Sequence, residues 1–125
     1  MTRWLVDAMN VIGTRPDGWW QDRHGAMVRL VDQLERWVAA TGEDVTVVFE
    51  RRPSPPISSP LVEIAHAPGP GRNAADDEIV RRLRDDPDPT AVRVVTSDHA
   101  LADQARFLNA LVEPAEPFRR QIEQA

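Results

Sequence analysis

The chain alternates between two hydrophobic periods. Short continuous apolar runs, such as WLV (4–6), VTVVF (45–49) and VRVV (92–95), are separated by stretches whose apolar residues recur every three or four positions. Runs of the first kind read as strands buried on both faces, and stretches of the second kind as amphipathic helices. Strands alternating with helices across short connections leave few folds open. The expected one is a parallel or mostly parallel sheet with helices on both faces.

The boundaries follow from breakers and caps. Residues 3–9 read as the first strand, and 13–25, with Gly13, Pro16, Gly18 and Gly25, as a loop. From Ala26 the stripe Met27, Leu30, Val31, Leu34, Trp37 and Val38 predicts a helix closed by Gly42. A second strand is expected over 45–49, a proline-rich loop over 51–60, and a third strand over 61–67, near an edge because polar residues interrupt it. PGPGRN then leads into a helix from Ala74 to Arg84, followed by a strand over 92–98. HALADQARFLNA reads as a further helix, LVEP as a short last strand, and PFRRQIEQA as a C-terminal helix. No internal repeat divides the 125 residues, which are expected to form one domain.

Composition excludes several classes. A hydrophobic content of 42% with four tryptophans supports a packed core rather than a disordered chain. No apolar run approaches the roughly 18–20 residues of a membrane span. The first strand follows the N-terminus directly, with no leader pattern, so a cytoplasmic protein is expected. With no cysteine, neither a disulfide framework nor a thiolate metal site is available. All fifteen basic residues are arginine. Without lysine, Schiff-base chemistry, P-loop phosphate binding and the receiver-domain switch are all ruled out.

In open parallel sheets, ligands bind beyond the carboxyl ends of the strands. Asp7 and Asn10 fall at that end of the first strand, and Ser97 and Asp98 at that end of the fourth. Asp76 and Asp77 fall in the first turn of the following helix. If the first and fourth strands are neighbours, Asp7 and Asp98 share a crevice that the start of that helix also faces. Carboxylates gathered there would repel one another unless a cation lay between them, and hard oxygen donors suit Mg²⁺ or Mn²⁺. Each acid also has a plain structural role. Asp76, Asp77 and Asp98 are all at positions where an aspartate caps a helix. Asp7 has no such role, because it starts no obvious helix and is costly to bury unpaired. Asn10 fits two roles equally, holding the turn after the strand or touching a phosphate oxygen.

Three short motifs occur in order: VDAMNVI, AADDEIV and VVTSDHALADQAR. With them the chain resembles, over essentially its whole length, the NYN-domain family of PIN-like metal-dependent ribonucleases and RNA-binding proteins of the YacP type. The resemblance implies a PIN-like three-layer α/β/α sandwich with an acidic pocket for one or two divalent cations. By position it makes Asp7, Asp76 and Asp98 the metal-holding acids, with Asn10 as their polar companion in catalysis and Asp77 and Asp103 as possible further ligands. One departure is visible. The family often has threonine two residues before the helix acid, where this chain has Ala74.

The chemistry implied is metal-assisted hydrolysis of an RNA phosphodiester, with single-stranded or structured RNA as partner. Arg15, Arg23, Arg51, Arg52 and Arg72 are expected on loops bordering the crevice, where guanidinium groups suit phosphate. Ser97 is placed to bond Asp98 or a phosphate. Trp19 or Trp20 is a candidate for stacking on unpaired bases, with at least one of the pair expected to anchor in the core. Arg81, Arg82 and Arg84 read as a solvated helix face, and His24, His66 and His99 have no metal-ligand spacing. An RNA-binding module of the same fold without turnover is the alternative. A dinucleotide site at GPGRNA is disfavoured, because Pro70 stiffens the loop where backbone must approach a pyrophosphate.

Overall fold

Five strands form a single all-parallel sheet in the order β3-β2-β1-β4-β5 in a computed structural model that describes residues 2–71 and 73–125. The strands are β1 (Arg3–Asp7), β2 (Asp44–Phe49), β3 (Glu63–His66), β4 (Val92–Val95) and β5 (Leu111–Glu113). Between them run α1 (Ala8–Ile12), α2 (Arg23–Thr41), α3 (Ala74–Asp85) and α4 (His99–Phe107), and α5 (Ala115–Glu123) follows β5.

Alternation along the central strands builds the two cores. Trp4 and Val6 of β1, with Val45, Val47 and Phe49 of β2, face the layer of α1, α2 and α5. Leu5, Val48, Val92 and Val94 face α3 and α4 on the other side. Trp4, Trp37 and Phe118 lock the first layer with ring centroids 5.1–5.5 Å apart, two of the three pairs edge to face. The Trp4 indole N–H is satisfied by the Glu43 carboxylate at 2.8 Å.

Helix ends follow the capping rules. Asp22 caps α2 by accepting from the Gly25 N–H at 2.9 Å. A Cβ on Gly25 would lie 2.3 Å from the Asp22 carboxylate, so only glycine allows that cap. At the other end, Gly42 takes the left-handed conformation, φ 75°, that closes the helix.

The expected elements are present with shifted ends. β1 stops at Asp7, and Ala8–Ile12 turns into a short helix rather than continuing the strand. Asp7 therefore does start a helix, contrary to expectation, although its side chain makes no capping bond. α2 begins at Arg23, three residues before the apolar stripe, because Asp22 supplies the cap. Thr96, Ser97 and Asp98 lie beyond the end of β4. β3 is an edge strand, as its interrupted pattern implied, and β5 is the other.

Candidate active site

β1 is flanked by β2 and β4, so the chain reverses its direction of travel across the sheet between β1 and β4. At that reversal the connections leave in opposite directions and open a crevice beyond the strand ends. A cleft of about 350 Å³ lies there, and Asp7, Glu50, Asp76 and Asp98 line it together with Asn10 and Asn73. β1 brings Asp7, the end of β2 brings Glu50, the first turn of α3 brings Asp76, and the start of α4 brings Asp98. Arg23 is the one cationic side chain among the described residues of this wall.

Asp7 is the deepest of the four, 6% exposed. Its carboxylate accepts a hydrogen bond from the Thr96 hydroxyl at 3.0 Å. Burial pushes its pKa up to about 7; the Thr96 bond opposes the rise, and the charges of Asp76, Asp98 and Glu50 add to it. Asp76 is also raised, by partial burial first and then by Asp98, Asp77 and Glu50. The cleft therefore holds one carboxyl group that changes protonation near neutrality.

Asp98 has two tasks. Its Oδ1 accepts from the Leu101 N–H at 2.9 Å, capping α4, while the residue also lines the cleft. Its own N–H donates to the Thr96 hydroxyl oxygen at 3.1 Å, so Thr96 joins Asp7 to the Asp98 turn. Asn10 ties the same turn to α1, its side-chain oxygen accepting from the Ser97 N–H at 2.7 Å. The Ser97 hydroxyl accepts from the Ala115 N–H at 2.9 Å, at the head of α5.

The remaining expected residues divide. Trp19 lines the cleft and packs against the core, with the Arg23 guanidinium 5.2 Å from its ring centroid. Trp20 is 58% exposed and lies edge-on to Trp19. Arg51 and Arg52 border an adjoining cavity that shares Met9, Arg23 and Glu50 with the cleft. Arg15 is not brought to the cleft and pairs with Asp17 and Glu123. Asp77 is exposed beside a separate groove, and Asp103 pairs with Arg106 on the open face of α4, so neither joins the four acids. Arg72 lies outside the described residues. Arg81 and Arg84 are exposed, as expected, and Arg82 is half-buried; Arg81 and Arg82 both bind the buried carboxylate of Glu78. None of the three histidines lines the cleft.

Glu50 and Asn73 were missed from the sequence. Glu50 directly follows the apolar run of β2, the position that singled out Asp7 and Asp98, so the same rule finds it. Among the described residues, no three acidic or histidine side chains are grouped closely enough to hold a metal ion as they stand.

A family model described as YacP-like NYN domain matches residues 4–125. The fold is similar to that of Rae1 (YacP) from Bacillus subtilis, with a TM-score of 0.79, 24% identity, and coverage of 99% of this chain and 75% of that one. Its W164L mutant gives a TM-score of 0.80, again at 24% identity, covering 99% of this chain and 76% of the other. Among curated proteins none matches significantly. The chain belongs to the YacP-like NYN domain family, a family of ribonucleases.

Proposed function

We propose that the cleft hydrolyses phosphodiester bonds of RNA, single-stranded or structured, with Mg²⁺ or Mn²⁺ held by Asp7, Asp76 and Asp98. The observation that carries this reading is the meeting of three carboxylates, from β1, α3 and the start of α4, in one cleft with a single described cation. Burial and then the neighbouring acids raise the pKa of Asp7 and of Asp76, a cost that a divalent ion removes. The donor set fits a hard cation. Mg²⁺ commonly takes one or two carboxylates and fills its remaining positions with water and substrate phosphate, so a closed triad is not required.

When bound, the ion would polarise the scissile phosphate and make a water acidic enough to attack. The other tasks fall to the chain. Thr96 orients the Asp7 carboxylate, and Asn10 holds the turn that presents Asp98. Arg23 supplies positive charge at the wall for a substrate phosphate, with Trp19 behind it. Among the described residues no helix is long and apolar enough to cross a membrane, and the chain has no cysteine. We place its action on RNA in the cytoplasm.

One observation favours binding without turnover: the acids are not drawn together around a single point. Cleavage of end-labelled single-stranded RNA in Mn²⁺ separates the two readings, comparing wild type, wild type with EDTA, and Asp98→Asn. The asparagine keeps an oxygen for the Leu101 cap, so loss of cutting would report on the charge. Cutting that survives in Asp98→Asn would sink the proposal, and binding without cutting by every sample would establish the module.

A further inference from the structure

The acidic cleft shares a wall with a cavity of opposite character. Met9, Arg23 and Glu50 line both, and the neighbour, of about 300 Å³, continues over Met27 and Phe49 towards Arg51 and Arg52. Its volume is at the low end of the roughly 300–1,000 Å³ of small-ligand sites. Met9 and Met27 are half-buried thioethers, and the Phe49 ring lies beneath, packed in the core. The rim is basic. Arg51 and Arg52 are both exposed, and no carboxylate is within ion-pairing distance of either among the described residues. Among the described residues, eight other arginines are paired with carboxylates, as Arg15 is with Asp17 and Glu123, and Arg81 with Glu78, whereas Arg23, on the wall shared by both cavities, is like Arg51 and Arg52 in having none.

We infer that this cavity seats the base of an unpaired nucleotide next to the scissile phosphate, while Arg51 and Arg52 hold the phosphates flanking it. The inference rests on the reading of the acidic cleft as a ribonuclease site, and it narrows the substrate to RNA unpaired at that position. A nucleobase is a flat aromatic group with apolar faces and a polar rim. Thioether sulfurs make favourable, adaptable contacts with aromatic faces. Guanidinium groups without acidic partners are available for bidentate contact with phosphate. A base stacked in a duplex cannot enter such a seat, whereas a splayed single-stranded one can. Glu50 lines both cavities.

The test is an abasic scan. End-labelled single-stranded oligoribonucleotides, each lacking one base, are cut by the wild-type protein in Mn²⁺, and their binding is read by fluorescence anisotropy in the same buffer. One position, at a fixed offset from the cut bond, should be cut and bound about five- to tenfold less well, the worth of one base on thioether and aromatic side chains. In Met27→Ala that position should lose its distinction, intact and abasic RNAs behaving alike. Arg52→Ala should instead weaken every RNA similarly and lower the salt dependence by about one charge. The wild-type scan needs no variant, so a misfolded Met27→Ala protein would leave the test standing. Equal cutting across the scan overturns the base seat and leaves the ribonuclease reading intact. Neither cutting nor binding overturns both. RNA bound but uncut, with one base-dependent position, removes turnover and keeps the seat.

Discussion

The hydroxyl of Thr96 donates to the carboxylate of Asp7 across 3.0 Å, joining the turn after β4 to the end of β1 inside the protein. Burial of Asp7 makes the stability of the fold depend on pH in a definite direction, and this contact partly offsets it.

Asp7 has a folded pKa of about 7 against an ordinary value of 3.8, so the folded state binds the extra proton between those values. The stability that this group contributes is therefore fully present below about pH 4 and is lost as pH rises through 7. Asp7→Asn, which cannot ionise, should flatten this dependence and be the more stable protein at pH 8 by up to about 4 kcal/mol. Thr96→Val removes the bond that restrains the shift and should extend the sloping window to higher pH. Urea unfolding in EDTA across pH 4–9 reads both. Parallel curves for wild type and Asp7→Asn would contradict the assignment.

Glu78 should behave in the opposite sense. Its carboxylate, 4% exposed, is bound by Arg81 at 2.6 Å and Arg82 at 2.8 Å, which hold its pKa below the usual carboxylate range. A lowered pKa contributes stability above the ordinary value, lost as pH falls through the folded one. Glu78→Gln should cost about 1 kcal/mol at pH 7, since Arg81 is exposed and Arg82 only half-buried. The difference from wild type should disappear in acid, as followed by thermal melting.

Saturating Mn²⁺ should raise the melting temperature, because only the folded chain gathers Asp7, Asp76 and Asp98. At 100 times the dissociation constant the gain is about 2.7 kcal/mol. It should be larger at pH 8 than at pH 6, where a proton competes for Asp7. The double variant Asp7→Asn, Asp76→Asn should show no shift. Calorimetric scans with and without Mn²⁺ decide the matter.

Asn10→Ala deletes the acceptor for the Ser97 N–H and should cost about 1 kcal/mol in stability. Its effect on RNA cleavage should be out of proportion, about ten- to a hundredfold, because it frees the turn that presents Asp98. A cleavage rate equal to that of wild type would show that the bond serves the fold alone.

Much of this arrangement was legible in the sequence. VTVVF and VRVV lie within β2 and β4, and Asp7, Asp76 and Asp98 do line one cleft. What was not legible has local causes. The run WLVDAMNVI stays apolar through the strand end, and a short continuous run cannot separate strand from helix by period, so α1 was hidden. The first turn of α2 is Arg-His-Gly, without apolar marks, and only its cap announces it. Arg15 is bound by Glu123, far away in sequence, which spacing does not disclose, whereas Glu78 pairs with Arg81 and Arg82 at the ordinary helix spacing and only its burial was hidden. Glu50 followed the rule already applied and was overlooked.

The central strand is also the first of the five in sequence. Chains emerge from the N-terminus, so β1 and its Asp7 appear early, while the neighbour that completes their side of the sheet is more than 80 residues behind. Until β4 arrives, Asp7 has neither Thr96 as a partner nor Asp98 as a neighbour. A chain that ends between Asp76 and Thr96 carries three of the four acids without the fourth that completes the cleft. The cleft is thus completed late in synthesis, by the turn that follows the fourth strand.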